Sequence, residues 1–189
     1  MSLFLDHIRK HIDLSSEAET FLLGLMHAHT YAKKSYLQQA GDPCQWIHFV
    51  IEGTVRAYYL SQEGKDSTIM FATRDWWITD MDSFINGRTA VVHIQAISDT
   101  RVLSLSRSGL DQLYQEFPEF NQFFRILMQN AYCREQRRSL QTLTMTAKER
   151  YDQFMTKYPE VAGQVTQKQI ASYLGITPEF LSYLRSLKD

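Results

Sequence analysis

The chain has 189 residues, a formal net charge of −1, 44% hydrophobic and 22% charged residues. These figures suit one large domain or two small ones and exclude disorder over most of the length. No run approaches the roughly 18 apolar residues of a spanning helix, and two cysteines, Cys44 and Cys133, are too few for a disulfide scaffold or a cysteine-ligated cluster. The N-terminus lacks a signal-type apolar run, so a cytoplasmic location away from membranes is expected. Charge is uneven along the chain. From Arg134 onward there are nine Lys/Arg against six Asp/Glu, and before it eleven against fifteen. A mildly basic C-terminal part is compatible with a DNA-reading tail.

In chain order, Ser15 to Ala28 has helical spacing at Ala18, Phe21, Leu22, Leu25 and Met26, with Ser15 or Ser16 as its cap. From Tyr31 to Leu105 short apolar runs alternate with turn signals such as Gly41-Asp42-Pro43, Glu52-Gly53, Glu63-Gly64 and Asn86-Gly87. Trp46 to Ile51, Val55 to Leu60, Thr68 to Phe71, Val91 to Ile97 and Arg101 to Leu105 read as strands of an antiparallel sandwich or barrel. Ser108 to Phe117 reads as a short helix broken before Pro118. A longer helix follows from Pro118 to about Leu143, with Phe120, Phe124, Leu127, Ala131 and Arg134 on one face. That stripe is a dimerisation candidate; its plainer reading is packing on the chain's own barrel. Thr146 to Glu149 fits a capping box opening a further helix to about Lys157. A short extended stretch is expected near Val165.

The last 24 residues say most. Gln167 to Leu174 reads as a helix capped by Thr166, with Ile170, Ala171 and Leu174 inward. Gly175 can take positive φ at a tight turn. Ile176 lies between the helices, Thr177 caps the next one and Pro178 occupies its first position. A small residue at 171 lets two helices cross closely. Short helix, glycine turn and capped second helix form a helix-turn-helix. Its recognition helix would be Thr177 to Lys188, turning Thr177, Glu179, Phe180, Ser182, Tyr183 and Arg185 outward. Glu179 suits a cytosine amine and Phe180 a thymine methyl. Thr166, Gln167, Lys168, Tyr183, Arg185 and Lys188 suit phosphates, which set position and affinity.

The whole chain resembles the Crp/Fnr family of bacterial transcription regulators, especially the short members common in Bacteroidetes. The resemblance rests on Phe49 to Tyr58 with Glu63-Gly64-Lys65, and on Gln169 to Glu179. It implies an α+β fold: an N-terminal antiparallel β-roll (jelly-roll-like, of the cyclic-nucleotide-binding type) with flanking helices over 1–117, a long dimerisation helix over 118–145, and a winged-helix-like helix-turn-helix domain over 146–189. The wing would be reduced, since the sequence ends soon after the recognition helix. It implies a cytoplasmic homodimer on a two-fold symmetric operator in double-stranded DNA, with RNA polymerase as a candidate partner.

The family's cyclic-nucleotide cassette corresponds to Thr79 to Ala90. Arg88-Thr89-Ala90 matches its phosphate end. Thr79 replaces a glycine, Asp80 replaces the ribose-binding glutamate, and the linker to Arg88 is shorter by about two residues. Asp82 adds negative charge, and Trp76 and Trp77 can partly fill the space. The candidate ligand pocket is therefore Thr79, Asp80, Met81, Ser83, Arg88, Thr89 and Ala90. No cofactor is assigned; a cyclic nucleotide and another small ligand both stay open, and these departures weigh against the nucleotide. Further along, Tyr183 and Pro178 replace arginines of the family's recognition helix, so the usual target sequence is not assumed.

Two rivals come from other classes. One is a ligand-sensing module acting through protein partners, kept open by the sparse cations of the recognition helix. The other is a cupin-like metal enzyme. His27 and His29, expected in the N-terminal helix or its end, and His48 and His93, expected on strands, are its candidate ligands, but no glutamate follows at cupin spacing. No nucleophile–base motif or phosphate loop is present. Neither catalytic residues nor metal ligands are assigned, and Arg134 to Arg138 reads as a solvated helix face.

Overall fold

The structure, a computed structural model, describes residues 2–186. Lys188 and the end of the expected recognition helix lie outside the described residues. Helix α1 (Ser2–Arg9) buries Phe4, Leu5 and Ile8. Helix α2 (Ser16–Leu25) is capped by Ser15, whose Oγ accepts from the Ala18 amide at 3.1 Å. It stops three residues earlier than the spacing suggests. Strand β1 (Met26–Tyr31) takes over, so His27 and His29 lie on a strand rather than in a helix. Continuous backbone pairing overrides the local periodicity here: residues 26–31 run antiparallel to 100–105 from Met26↔Leu105 to Tyr31↔Thr100.

The roll continues with β2 (Tyr36–Gln38), β3 (Trp46–Glu52), β4 (Val55–Leu60), β5 (Asp66–Ala72) and β6 (Trp77–Ile78). Helix α3 (Met81–Asn86), β7 (His93–Ala96) and β8 (Thr100–Ser106) complete it. Two four-stranded antiparallel sheets result, in the orders β1-β8-β3-β6 and β2-β7-β4-β5. Val50, Val55, Ala57, Ile78, Ile94 and Val102 fill the space between them. At the β3–β4 turn Gly53 has φ +93°, and a Cβ there would lie 2.4 Å from the Asp99 carbonyl oxygen. Only glycine meets both demands.

Helix α4 (Arg107–Glu116) is capped by Ser106, and α5 (Glu119–Thr144) follows directly. Phe120, Phe123 and Phe124 of α5 enter the main core with Phe4, Phe49, Trp77 and Leu113. Helix α6 (Ala147–Lys157) opens with the expected capping box between Thr146 and Glu149. Helices α7 (Pro159–Ala162), α8 (Gln167–Leu174) and α9 (Pro178–Ser186) complete the C-terminal part. No strand forms near Val165. Its amide continues the helical turn to the Val161 carbonyl at 3.1 Å.

Candidate DNA-reading helix and ligand cavity

The α8–α9 unit is built by short-range chemistry. Thr166 Oγ1 accepts from the Gln169 amide at 3.2 Å, and Gln169 Oε1 accepts from the Thr166 amide at 2.8 Å. Gly175 takes φ +70°, letting the Ile176 amide reach back to the Ala171 carbonyl at 3.0 Å. Thr177 Oγ1 accepts from the Phe180 amide at 3.1 Å and starts α9. Ile170, Ala171 and Leu181 are fully buried at the crossing. Thr177, Glu179, Phe180, Ser182, Tyr183 and Arg185 are all exposed, as are Thr166, Gln167 and Lys168. Phe180 and Tyr183 stack on one another, centroids 6.2 Å apart.

This unit is docked on the roll. Strand β5 is a sheet edge, and α8 covers it. Ser172 Oγ accepts from the Thr68 amide at 2.8 Å and donates to the Asp66 carbonyl at 2.9 Å, satisfying edge groups that would otherwise face water. Beneath it, buried Arg56 donates to Thr68 Oγ1 at 2.8 Å and to the Asp66 carboxylate at 2.9 Å. Burial alone would raise the Asp66 pKa, but the Arg56 guanidinium wins and lowers it. Phe71 of the roll joins Phe154 and Ile170 in the C-terminal core, and Thr54 Oγ1 donates to Gln164 Oε1 at 2.8 Å. Residue order gives no signal for the Thr68–Ser172, Asp66–Ser172 and Thr54–Gln164 contacts, whose partners are 104, 106 and 110 positions apart.

The cassette is rearranged. Asp80, 7% exposed, caps α3 through the Ser83 amide at 3.4 Å. Its second oxygen accepts from the Val91 and Val92 amides at 2.8 and 3.3 Å. The carboxylate thus fills a cradle of backbone N–H groups. Arg88 points outward, pairs with Asp82 at 3.4 Å and lies on a surface cleft with Arg107. Thr79, Asp80 and Met81 do line a cavity of about 370 Å³ between the roll and α5, while Ser83, Arg88, Thr89 and Ala90 are not in its lining. The candidate pocket residues therefore divide between two places. Trp76 and Trp77 both line the cavity.

The residues of the α5 stripe also divide between two places. Phe120 and Phe124 are buried in the chain's own core, and Leu127, Ala131 and Arg134 line the cavity. Apolar spacing marks a buried face without saying what buries it. Among the described residues Tyr132, Leu140 and Leu143 are the exposed large apolar side chains of α5. Arg134 and Arg138 are not simply solvated: Arg134 lies 5.0 Å over Trp76, and Arg138 lies 5.3 Å over Tyr173 and donates to the Ile69 carbonyl.

His27, His29 and His48 form a packing cluster, while His93 lies on the other sheet, stacked on Tyr58. His29 and His48 both hydrogen-bond Ser104 Oγ, at 3.0 and 2.8 Å, and Trp46 packs edge-on to His27. Burial, aided by the nearby His29, pushes His48 down to about 3. Among the described residues no group of three His, Cys, Asp or Glu is placed to hold a metal ion. Burial raises the Cys44 thiol pKa, which makes it a poor nucleophile at neutral pH.

An antiparallel roll with a short α3 helix, a long helix and a docked helix-turn-helix is the architecture of a cyclic-nucleotide-binding-type β-roll followed by a helix-turn-helix unit. Comparison with known proteins agrees. Residues 28–117 match the cyclic nucleotide-binding domain family. The chain is 25% identical over 169 residues to the anaerobic regulatory protein of Pasteurella multocida, covering 80% of this chain and 59% of that one. It is 23% identical over 99 residues to the cAMP-activated global transcriptional regulator CRP of Salmonella typhimurium, covering 52% and 47%. The chain thus spans about half the length of these curated relatives. The c-di-GMP-responsive global regulator CLP of Xanthomonas campestris shares the fold, with TM-score 0.75, 15% identity and 92% of each chain covered. The chain is thus similar over its β-roll to the cyclic nucleotide-binding domain family, and more widely to Crp/Fnr-type regulators.

Proposed function

We propose that the chain is a homodimeric, sequence-specific DNA-binding regulator of transcription, acting in the cytoplasm. The observation that carries this reading is α9: its inner face is locked onto α8, while its outer face is free of the rest of the chain. Pro178 and Thr177 fix where the helix starts, so the outer side chains are held in register for a major groove. Glu179 is the base-reading candidate. Thr166, Gln167, Lys168 and Arg185, all exposed, are the phosphate-contact candidates. The exposed Tyr132, Leu140 and Leu143 of α5 support a two-fold contact along that helix. The cassette is degenerate, because Asp80 is engaged by backbone amides and Arg88 by Asp82.

Fluorescence anisotropy on the chain's own upstream DNA tests this. Competitor-resistant binding without added nucleotide is expected, with a half-site preference that relaxes in Glu179→Ala. Equal affinity for specific and scrambled DNA would overturn it and favour a sensor acting through protein partners.

A further inference from the structure

The cavity between the roll and α5 is large enough, at about 370 Å³, to hold a small molecule. Its walls are mainly Ile69, Met70, Trp76, Ile78, Leu127 and Met128. Four charged side chains also reach it, and each is already matched within the chain. Asp75 is held by His7 at 2.8 Å and Lys10 at 3.1 Å. Asp80 is held by three backbone amides. Glu135 is paired with Arg138 at 3.2 Å, and Arg134 lies flat over Trp76. An anionic ligand would meet three carboxylates and one occupied guanidinium, and burying a charge without a partner is costly. The arginine that matches a cyclic phosphate binder, Arg88, is not in the lining.

We infer that this cavity takes an uncharged, largely apolar small molecule. This rests on the regulatory reading above and names the class of effector. Two apolar walls, from β5–β6 and from α5, close on the same space. A ligand filling it presses on α5 between the roll and the C-terminal helices, and it acts on DNA binding only by favouring one packing of that helix.

The test uses the full chain without DNA and the uncharged fluorophore N-phenyl-1-naphthylamine. Saturable emission enhancement with quenching of tryptophan fluorescence is expected. Ala131→Phe fills the cavity, and Ile69→Glu puts an unmatched charge at its wall; each weakens binding at least about tenfold. Ile69 is 37% exposed, so that variant keeps the test usable if the first fails to fold. Millimolar cyclic AMP leaves the probe in place. Displacement by cyclic AMP, unchanged probe affinity in folded variants, or no saturable binding would each overturn the inference. DNA anisotropy is read separately, so failure of either reading leaves the other measurable.

Discussion

The cassette of the roll and the outer face of α9 use polar side chains in opposite ways. In the cassette, Asp80 turns inward and is consumed by the Ser83, Val91 and Val92 amides. On α9, Glu179, Ser182 and Arg185 stay exposed, and the cap at Thr177 does the local work alone. Both segments carry residues that resemble a binding motif. A polar group engaged within the folded chain is withdrawn from a ligand; Asp80 is engaged in that way, whereas the outer face of α9 is exposed.

The sharpest way to break this contrast is Asp80→Ala. It removes a helix cap and strands buried amides, which predicts a loss of about 3–5 kcal/mol in urea unfolding. Glu179→Ala should change stability by less than about 0.5 kcal/mol. If Asp80→Ala is as mild as that, the carboxylate is free and the cassette is open for ligand. Next in size is Ala171→Leu. Ala171 is fully buried at the α8–α9 crossing, so the added atoms should cost about 2–3 kcal/mol and misplace α9. An unaltered melting temperature together with unaltered DNA affinity would refute the tight crossing.

The helix-turn-helix was readable from order alone because its determinants are local. Thr166, Ala171, Gly175 and Pro178 sit within a dozen residues, and each acts on neighbours three to five positions away. The roll was legible as a class, since turn glycines punctuate β3 to β5. Its edges were not. Strand β1 exists because of β8, about 75 residues later, and its six residues leave four exposed, with no inward alternation to reveal them. Cassette similarity located Asp80 and Arg88 correctly in sequence but not in direction. Direction depends on Val91, Val92 and Asp82, whose claims on those side chains no spacing rule expresses. The stripe of α5 divides as well: Phe120 and Phe124 enter the chain's own core, while Leu127, Ala131 and Arg134 line the cavity, and periodicity alone does not say what covers each part.

A third effect comes from pH. Burial lowers His48 to about 3 from an ordinary 6.5, and burial lowers His7 as well despite Asp75. A lowered histidine pKa means the unfolded chain takes the proton first. Stability is therefore full above about pH 6.5 and falls as pH drops, by up to about 1.4 kcal/mol per unit for His48. Urea unfolding at pH 7.5 and 5 should differ by about 2 kcal/mol, and His48→Gln should flatten the dependence. A wild-type chain equally stable at both pH values would place His48 in water.

The smallest effect tests whether the two contrasted regions are joined as described. Ser172 bridges them, accepting from the Thr68 amide and donating to the Asp66 carbonyl. Ser172→Ala deletes both bonds but leaves the Ile170, Ala171 and Leu174 packing intact. The site is only part-buried, so water can replace some of what is lost, and about 1 kcal/mol of stability is the expected change. A global measurement barely resolves that. Amide exchange at Thr68 does, because this N–H lies on a sheet edge and has the serine oxygen as its acceptor. Its exchange should quicken selectively, while amides inside β3 and β8 stay as they were. Equal protection at Thr68 in both proteins would mean that α8 does not sit on β5 in solution. The C-terminal helices would then be held to the roll through Phe71, the Thr54–Gln164 bond and α5.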